Sequence, residues 1–199
     1  TIVLDNSSAG ASTSNRLTIS HTTGSGANRL MLVGTAFDRG GGDITNVAYN
    51  GVALTKILSV TNASGSVKPR ADIWQLVNPP SGTFNLVISM ATASSVDLTA
   101  GAVTFTGVDQ NTPTGTGATA TGNSAAASVN VTSASGEMVF DCLSVANNGA
   151  ANAGPGQTRQ WTTNTASIRG AGSTEAGAGS VTMSWTNGNA RWAIAGVPI

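Results

Sequence analysis

Apolar and polar residues alternate with a period of two over short stretches of this chain. The clearest is 83–90, where Phe84, Leu86 and Ile88 point one way and Asn85 and Ser89 the other. That alternation marks a strand with one buried face. Similar runs of β-branched and apolar residues recur along the chain, bounded by Gly, Asn, Pro and Ser. They predict about fourteen strands, at 1–5, 17–21, 29–37, 44–49, 52–60, 71–77, 83–90, 99–106, 127–132, 137–145, 158–162, 168–174, 180–185 and 191–197. No helical pattern separates them, so the pairing is expected to be antiparallel, because parallel neighbours need long crossovers.

Turn chemistry supports this division. Asn50-Gly51 between 44–49 and 52–60 is the strongest short hairpin signal. Asn78-Pro79-Pro80-Ser81-Gly82 breaks the ladder between 71–77 and 83–90, since proline supplies no donor there. Ser135-Gly136 and Asn187-Gly188 mark two further turns. Residues 111–126 hold only Thr, Gly, Ala, Ser, Pro and Asn, with no large apolar side chain, and read as a long surface loop or a crossover. The expectation is one all-β domain spanning 1–199, an antiparallel two-sheet β-sandwich of jelly-roll-like form.

Composition narrows the function. Only 9% of the 199 residues are charged, and nine Lys and Arg balance nine Asp and Glu. Nucleic acid is not an expected partner, because phosphate recognition calls for clustered Lys and Arg. No apolar run reaches the length of a transmembrane helix, so membrane insertion is not expected either. An uncharged Thr/Ser/Asn/Gly surface removes a usual barrier to association and suits packing against copies of the same chain, or against a neutral glycan. The sequence begins at Thr1 rather than Met, and the expectation is a processed mature protein outside the cell.

Candidate chemistry is sparse. His21 is the single histidine, so any Ser-His-Asp arrangement would have to use it, and no nucleophile-elbow motif accompanies it. One His and one Cys cannot supply a zinc site of the usual kind. Cys142, within Met138-Val139-Phe140-Asp141-Cys142-Leu143, reads as a buried thiol. Glu137 and Asp141 share a strand face but stand about 13 Å apart, too far for a catalytic carboxylate pair. No enzymatic activity and no cofactor are expected. Calcium is the one ion the sequence suits, at Asp38-Arg39-Gly40-Gly41-Gly42-Asp43, where Asp38 and Asp43 offer carboxylates beside open carbonyls. Trp161, followed by Thr162-Thr163-Asn164-Thr165, is the best candidate for an exposed aromatic face meeting a sugar ring. Thr1, Ile2, Val3 and Leu4, followed by a flexible 6–15 run, form a strand that could be donated to a neighbour's sheet.

Several segments carry a resemblance. Residues Ser20-His21-Thr22-Thr23-Gly24-Ser25-Gly26-Ala27-Asn28-Arg29, Val47-Ala48-Tyr49-Asn50-Gly51-Val52-Ala53-Leu54, Ile73-Trp74-Gln75-Leu76-Val77-Asn78-Pro79-Pro80-Ser81-Gly82-Thr83 and Phe105-Thr106-Gly107-Val108-Asp109-Gln110 resemble a jelly-roll or lectin-like β-sandwich module of secreted bacterial proteins. So do Gly172-Ser173-Thr174 and Gly179-Ser180-Val181-Thr182-Met183-Ser184-Trp185. Such modules sit in large surface and adhesin-type proteins. The resemblance implies architecture and an extracellular or cell-surface location, and transfers no active site. The functional expectation is a structural or surface protein: a self-assembling filament or sheath subunit, or an adhesin-type module. A carbohydrate-binding module and a viral capsid decoration or tail protein are the alternatives.

Overall fold

The computed structural model describes residues 1–92 and 95–199. In chain order the strands are β1 (Val3–Ser12), β2 (Arg16–Thr23), β3 (Leu30–Asp38), β4 (Ile44–Tyr49), β5 (Val52–Ala53), β6 (Thr55–Thr61), β7 (Pro69–Val77), β8 (Gly82–Met90), β9 (Leu98–Thr106), β10 (Ala118–Thr132), β11 (Met138–Val145), β12 (Asn152–Ala153), β13 (Thr158–Asn164), β14 (Arg169–Ala176) and β15 (Ser180–Pro198). Every pairing among the described residues is antiparallel. The fold is the all-β antiparallel sandwich that the pattern predicts, with three sheets in place of the two expected of a jelly-roll-like form.

The central sheet has the order β1-β9-β3-β7-β6. One face packs on the four-stranded sheet β2-β8-β4-β5, the other on the outer sheet β10-β15-β11-β14-β13. This explains the composition of β3 and β9, which are buried along almost their whole length. Strands covered on both faces read as continuous apolar or small runs. In β3, Met31, Val33 and Phe37 enter the core shared with the four-stranded sheet, while Leu30, Leu32 and Ala36 enter the core shared with the outer sheet. By contrast β2 is covered on one face only, and exposed and buried residues alternate through all eight positions.

A third core lies within the outer sheet itself. The side chains that β15 sends into it change parity, from Val181, Met183 and Trp185 to Trp192 and Ile194. A straight strand cannot turn odd and then even positions to the same side. The ribbon of β10 and β15 bends at a bulge between Ser124 and Ala126, opposite 186–190, and its far half folds over β11 and β14. Asn187 stabilises the bend: its Oδ1 accepts from Ala127 N at 2.9 Å and its Nδ2 donates to Ser124 O at 3.0 Å.

Four details of the sequence reading change. Asn187-Gly188 is not a turn, because β15 runs through it and joins the two segments expected at 180–185 and 191–197. The segment expected at 52–60 divides into β5 and β6, which belong to different sheets. The run 111–126 is not all loop: Ala118 onward is strand, paired to β15. The run 6–15 is strand as far as Ser12, paired to β9. Asn50-Gly51 does form the two-residue hairpin between β4 and β5, with φ of 48° and 76°, the positive pair that a type I′ turn requires.

Candidate functional site

The expected site residues fall in different parts of the fold. Asp38 ends β3, where its Oδ1 accepts from Gly40 N at 2.9 Å and Lys68 N at 2.8 Å, capping the 3-10 turn Arg39–Gly41. Asp43 Oδ1 accepts from Ile44 N at 2.9 Å and its Oδ2 lies 3.4 Å from Arg39. Both carboxylates therefore already have protein partners, which hold the turn in place. Among the described residues no group of three or more His, Cys, Asp and Glu gathers around a common point.

Trp161 is a correction. It was expected to present an exposed ring, and it is 4% exposed, in the core between the central and outer sheets. Gly34, Gly101 and Gly172 line its slot: a Cβ on Gly101 or Gly172 would collide with the ring, and one on Gly34 would crowd Cys142 and the ring edge. A ring enclosed in this way cannot meet a pyranose. Trp74, Trp185, Trp192 and Tyr49 are buried as well.

At the N-terminus, Val3 and Leu4 pair with Thr106 and Phe105 of the same chain, so the expected donor segment here completes its own central sheet. Both side chains remain exposed, at 53% and 38%. Ile2, just before the strand, packs on the core below the outer sheet.

His21 joins a cluster that fastens this strand. Ser8 Oγ lies 2.5 Å from His21 Nδ1, His21 Nε2 lies 3.2 Å from Thr104 Oγ1, and Thr104 Oγ1 donates to Asp5 Oδ2 at 2.8 Å. An ionised carboxylate only accepts, so the Thr104 hydroxyl proton points to Asp5 and its oxygen accepts from His21 Nε2–H. The neutral imidazole then accepts at Nδ1, and Ser8 is the donor. Burial lowers the His21 pKa to about 4, against a smaller opposing pull from Asp5. The chain Ser8–His21–Thr104–Asp5 thus links β1 to the four-stranded sheet and to β9. No sequence motif pointed to Ser8 or Thr104, because the contact depends on the facing of two sheets.

A second polar cluster lies under the folded half of the β10–β15 ribbon. Asp141 Oδ1 accepts from Ser173 N at 2.7 Å and Ser173 Oγ at 2.8 Å, and Oδ2 accepts from Trp185 Nε1 at 2.6 Å. Gln157 bridges the layers, with Nε2 donating to Ser173 Oγ and Oε1 accepting from Ser184 N, both at 2.7 Å. Complete burial raises the Asp141 pKa to about 7, more than its hydrogen bonds lower it. The signal available in the sequence was a carboxylate set between Phe140 and Cys142.

The accessible surface is neutral and hydroxyl-rich. Clefts of about 430, 360 and 440 Å³ are lined by Ser, Thr, Asn, Ala, Gly, Pro, Phe, Val and Trp, and none of their lining residues is titratable. The sheets end in open strands. Of the edges, β1 carries Asp5, β2 Arg16, β6 Lys56 and β13 Arg159; β5 is uncharged but only two residues long, while the fifteen-residue β10 has no charge and no proline. Asn62 Nδ2 caps Gly122 O at 2.9 Å in the first half of β10. In the second half, Ala126, Ser128, Asn130 and Thr132 are exposed. No helix among the described residues is long and apolar enough to cross a membrane. No family model matches this chain, and neither a curated protein nor a solved structure does.

Proposed function

We propose that this chain is an extracellular surface-structural protein that assembles with copies of itself, as a filament or sheath subunit or as an adhesin-type module. The observation that carries this reading is the β10 edge: long, uncharged and without proline. Open edges recruit other strands unless Lys, proline, bulges or short length blunt them. A single bulge interrupts β10, and the stretch beyond it offers only Ala, Ser, Asn, Val and Thr to a partner. Zero net charge adds no repulsion between copies. A virion decoration or tail protein would use the same neutral edges, and electron microscopy of native material separates the two. Carbohydrate recognition through an aromatic platform is less well supported, because every Trp and the single Tyr are buried.

The test is light scattering with negative-stain electron microscopy across a concentration series. Larger species that grow with concentration are expected, and the double variant Ser128→Lys/Asn130→Lys should lose them while keeping its fold. A wild-type protein that stays a monodisperse monomer at all concentrations overturns the reading.

A further inference from the structure

The attachment of β1 differs from that of the other long strands. It pairs with β9 through nine residues, from Val3↔Thr106 to Ser12↔Leu98, yet none of its ten residues is buried and none belongs to any of the three cores. The opposite edge strand β6 also buries nothing fully, but it packs Ile57, Leu58 and Val60 against a core. What holds β1 is its backbone ladder, a row of polar contacts, the close approach of Gly10 to Leu17 and Ile19, and Ile2 just before the strand, packed on the core below the outer sheet. Asn6 Nδ2 donates to Thr22 O at 2.9 Å, Asp5 Oδ2 accepts from Gly24 N at 2.8 Å and from Thr104, and Ser8 donates to His21.

Removing β1 would open the edge of β9, whose Ala100, Ala102, Val103 and Phe105 are fully buried. That edge needs a strand, and its partners at Thr104, His21 and Gly24 specify the side chains of β1 itself. We infer that β1 is an exchangeable strand, which leaves its own β9 and takes the same register along β9 of a second copy of this chain. This inference rests on the self-assembly reading above and adds a contact through β1 to the one made along β10, the larger species needing both.

Three features favour exchange. Hydrogen bonds and ladder are reproduced identically between copies, so little is lost apart from association entropy. The connection to β2 is only residues 13–15, and short hinges of this kind favour swapping over refolding in place. Finally, Val3 and Leu4 are two of the three large apolar side chains exposed among the described residues. They stand at the start of the strand that moves, where a second molecule can cover them.

The experiment uses the directly opposed pair Val3 and Thr106. Opposed residues in antiparallel sheets stand about 4.5–5.5 Å apart at Cα, within disulfide range. Two single variants, Val3→Cys and Thr106→Cys, are mixed in equal amounts before assembly, co-assembled and then oxidised. The expected product is a disulfide-linked heterodimer in several-fold excess over either homodimer, resolved by non-reducing electrophoresis and mapped by peptide mass spectrometry. The double variant Val3→Cys/Thr106→Cys, oxidised as monomer, should lose the larger species and regain them on reduction. Assembly that persists in the locked chain, with no heterodimer excess, overturns strand exchange while leaving self-assembly standing. A wild type that never assembles overturns both, and light scattering distinguishes that case.

Discussion

Trp161 lies flat across Gly101, so close that a methyl group on Gly101 would occupy the space of the indole ring. Gly101 and Gly34 are directly paired on β9 and β3, and Gly172 is the partner of Trp161 on β14. Three glycines on two sheets thus form a slot for one indole. Glycine inside a strand ordinarily weakens it and marks a close approach of something else. Here that something is the largest side chain of the core between the two sheets.

Trp161→Ala should destabilise the fold by about 3–5 kcal/mol, the usual range for a large aromatic removed from a core. Gly101→Ala should also be strongly destabilising, because it drives a Cβ into the ring. The combination should be less damaging than the sum, since the cavity left by the indole receives the new methyl. Urea midpoints of the four proteins give the coupling. Simple additivity would mean that the slot is not the reason for the glycines.

The two buried titratable clusters act on stability with opposite signs. His21 has a folded pKa of about 4 against an ordinary 6.5, so the unfolded chain binds the proton first. Its contribution is complete above pH 6.5 and is lost as the pH falls toward 4. Asp141 has a folded pKa of about 7 against an ordinary 3.8, so the folded chain binds the proton first. Its contribution is complete below pH 3.8 and is lost as the pH rises toward 7. Between pH 4 and 6.5 the two trends oppose each other. Asp141→Asn should therefore make stability rise more steeply with pH than in wild type, and His21→Gln should make it fall. Each difference is bounded by about 1.4 kcal/mol per pH unit. Chemical denaturation at pH 4.5, 5.5 and 6.5 measures both, and slopes that change in the same direction would refute the assignment.

Gln157 holds the folded half of the β10–β15 ribbon through two bonds of 2.7 Å. Gln157→Leu leaves the Ser184 amide without that partner and loosens Ser173, at a cost of about 1–3 kcal/mol. The effect should be local. Hydrogen exchange should speed up in 126–132 and 180–186 and stay unchanged in β3 and β9, because those strands belong to a different pair of cores. Uniform acceleration across all three sheets would show that the ribbon is not a separate layer.

How far this fold is legible in sequence depends on what makes each strand. Those with a buried face announce themselves, as β2 and β8 do by alternation. Strand β1 beyond Asp5 and the first half of β10 contain Asn, Ser, Ala, Gly and Thr and no large apolar side chain. Their extended form comes from pairing with β9 and β15, which local composition does not encode. Asn187-Gly188 carries a turn signature, but the Asn187 side chain bonds across to Ala127 and Ser124 and the strand bends without ending. Trp161 was misplaced because its flanking Thr and Asn residues suggested a surface. The three glycines that bury it lie far away in sequence, at 34, 101 and 172.

Cys142 provides a reporter that separates opening of the whole fold from movement of β1. Its thiol is fully buried between the central and outer sheets, with Sγ 3.6 Å from Thr35 O, and burial pushes its pKa well above the ordinary thiol range. Only thiolate reacts with alkylating agents, so the native thiol is protected by inaccessibility and by protonation together. At pH 8 the folded protein should resist iodoacetamide, and denaturant should expose one equivalent of thiol. Release of β1 carries Ile2 away from the core holding Cys142, but Phe105, Phe140 and Trp161 of that core stay in place, so labelling should remain slow. Labelling rates should follow global stability across the Trp161 and Gly101 variants and be unaffected by protein concentration. A thiol that reacts in the native state as assembly proceeds would mean that the exchanging unit includes the outer sheet, and that β1 does not move alone.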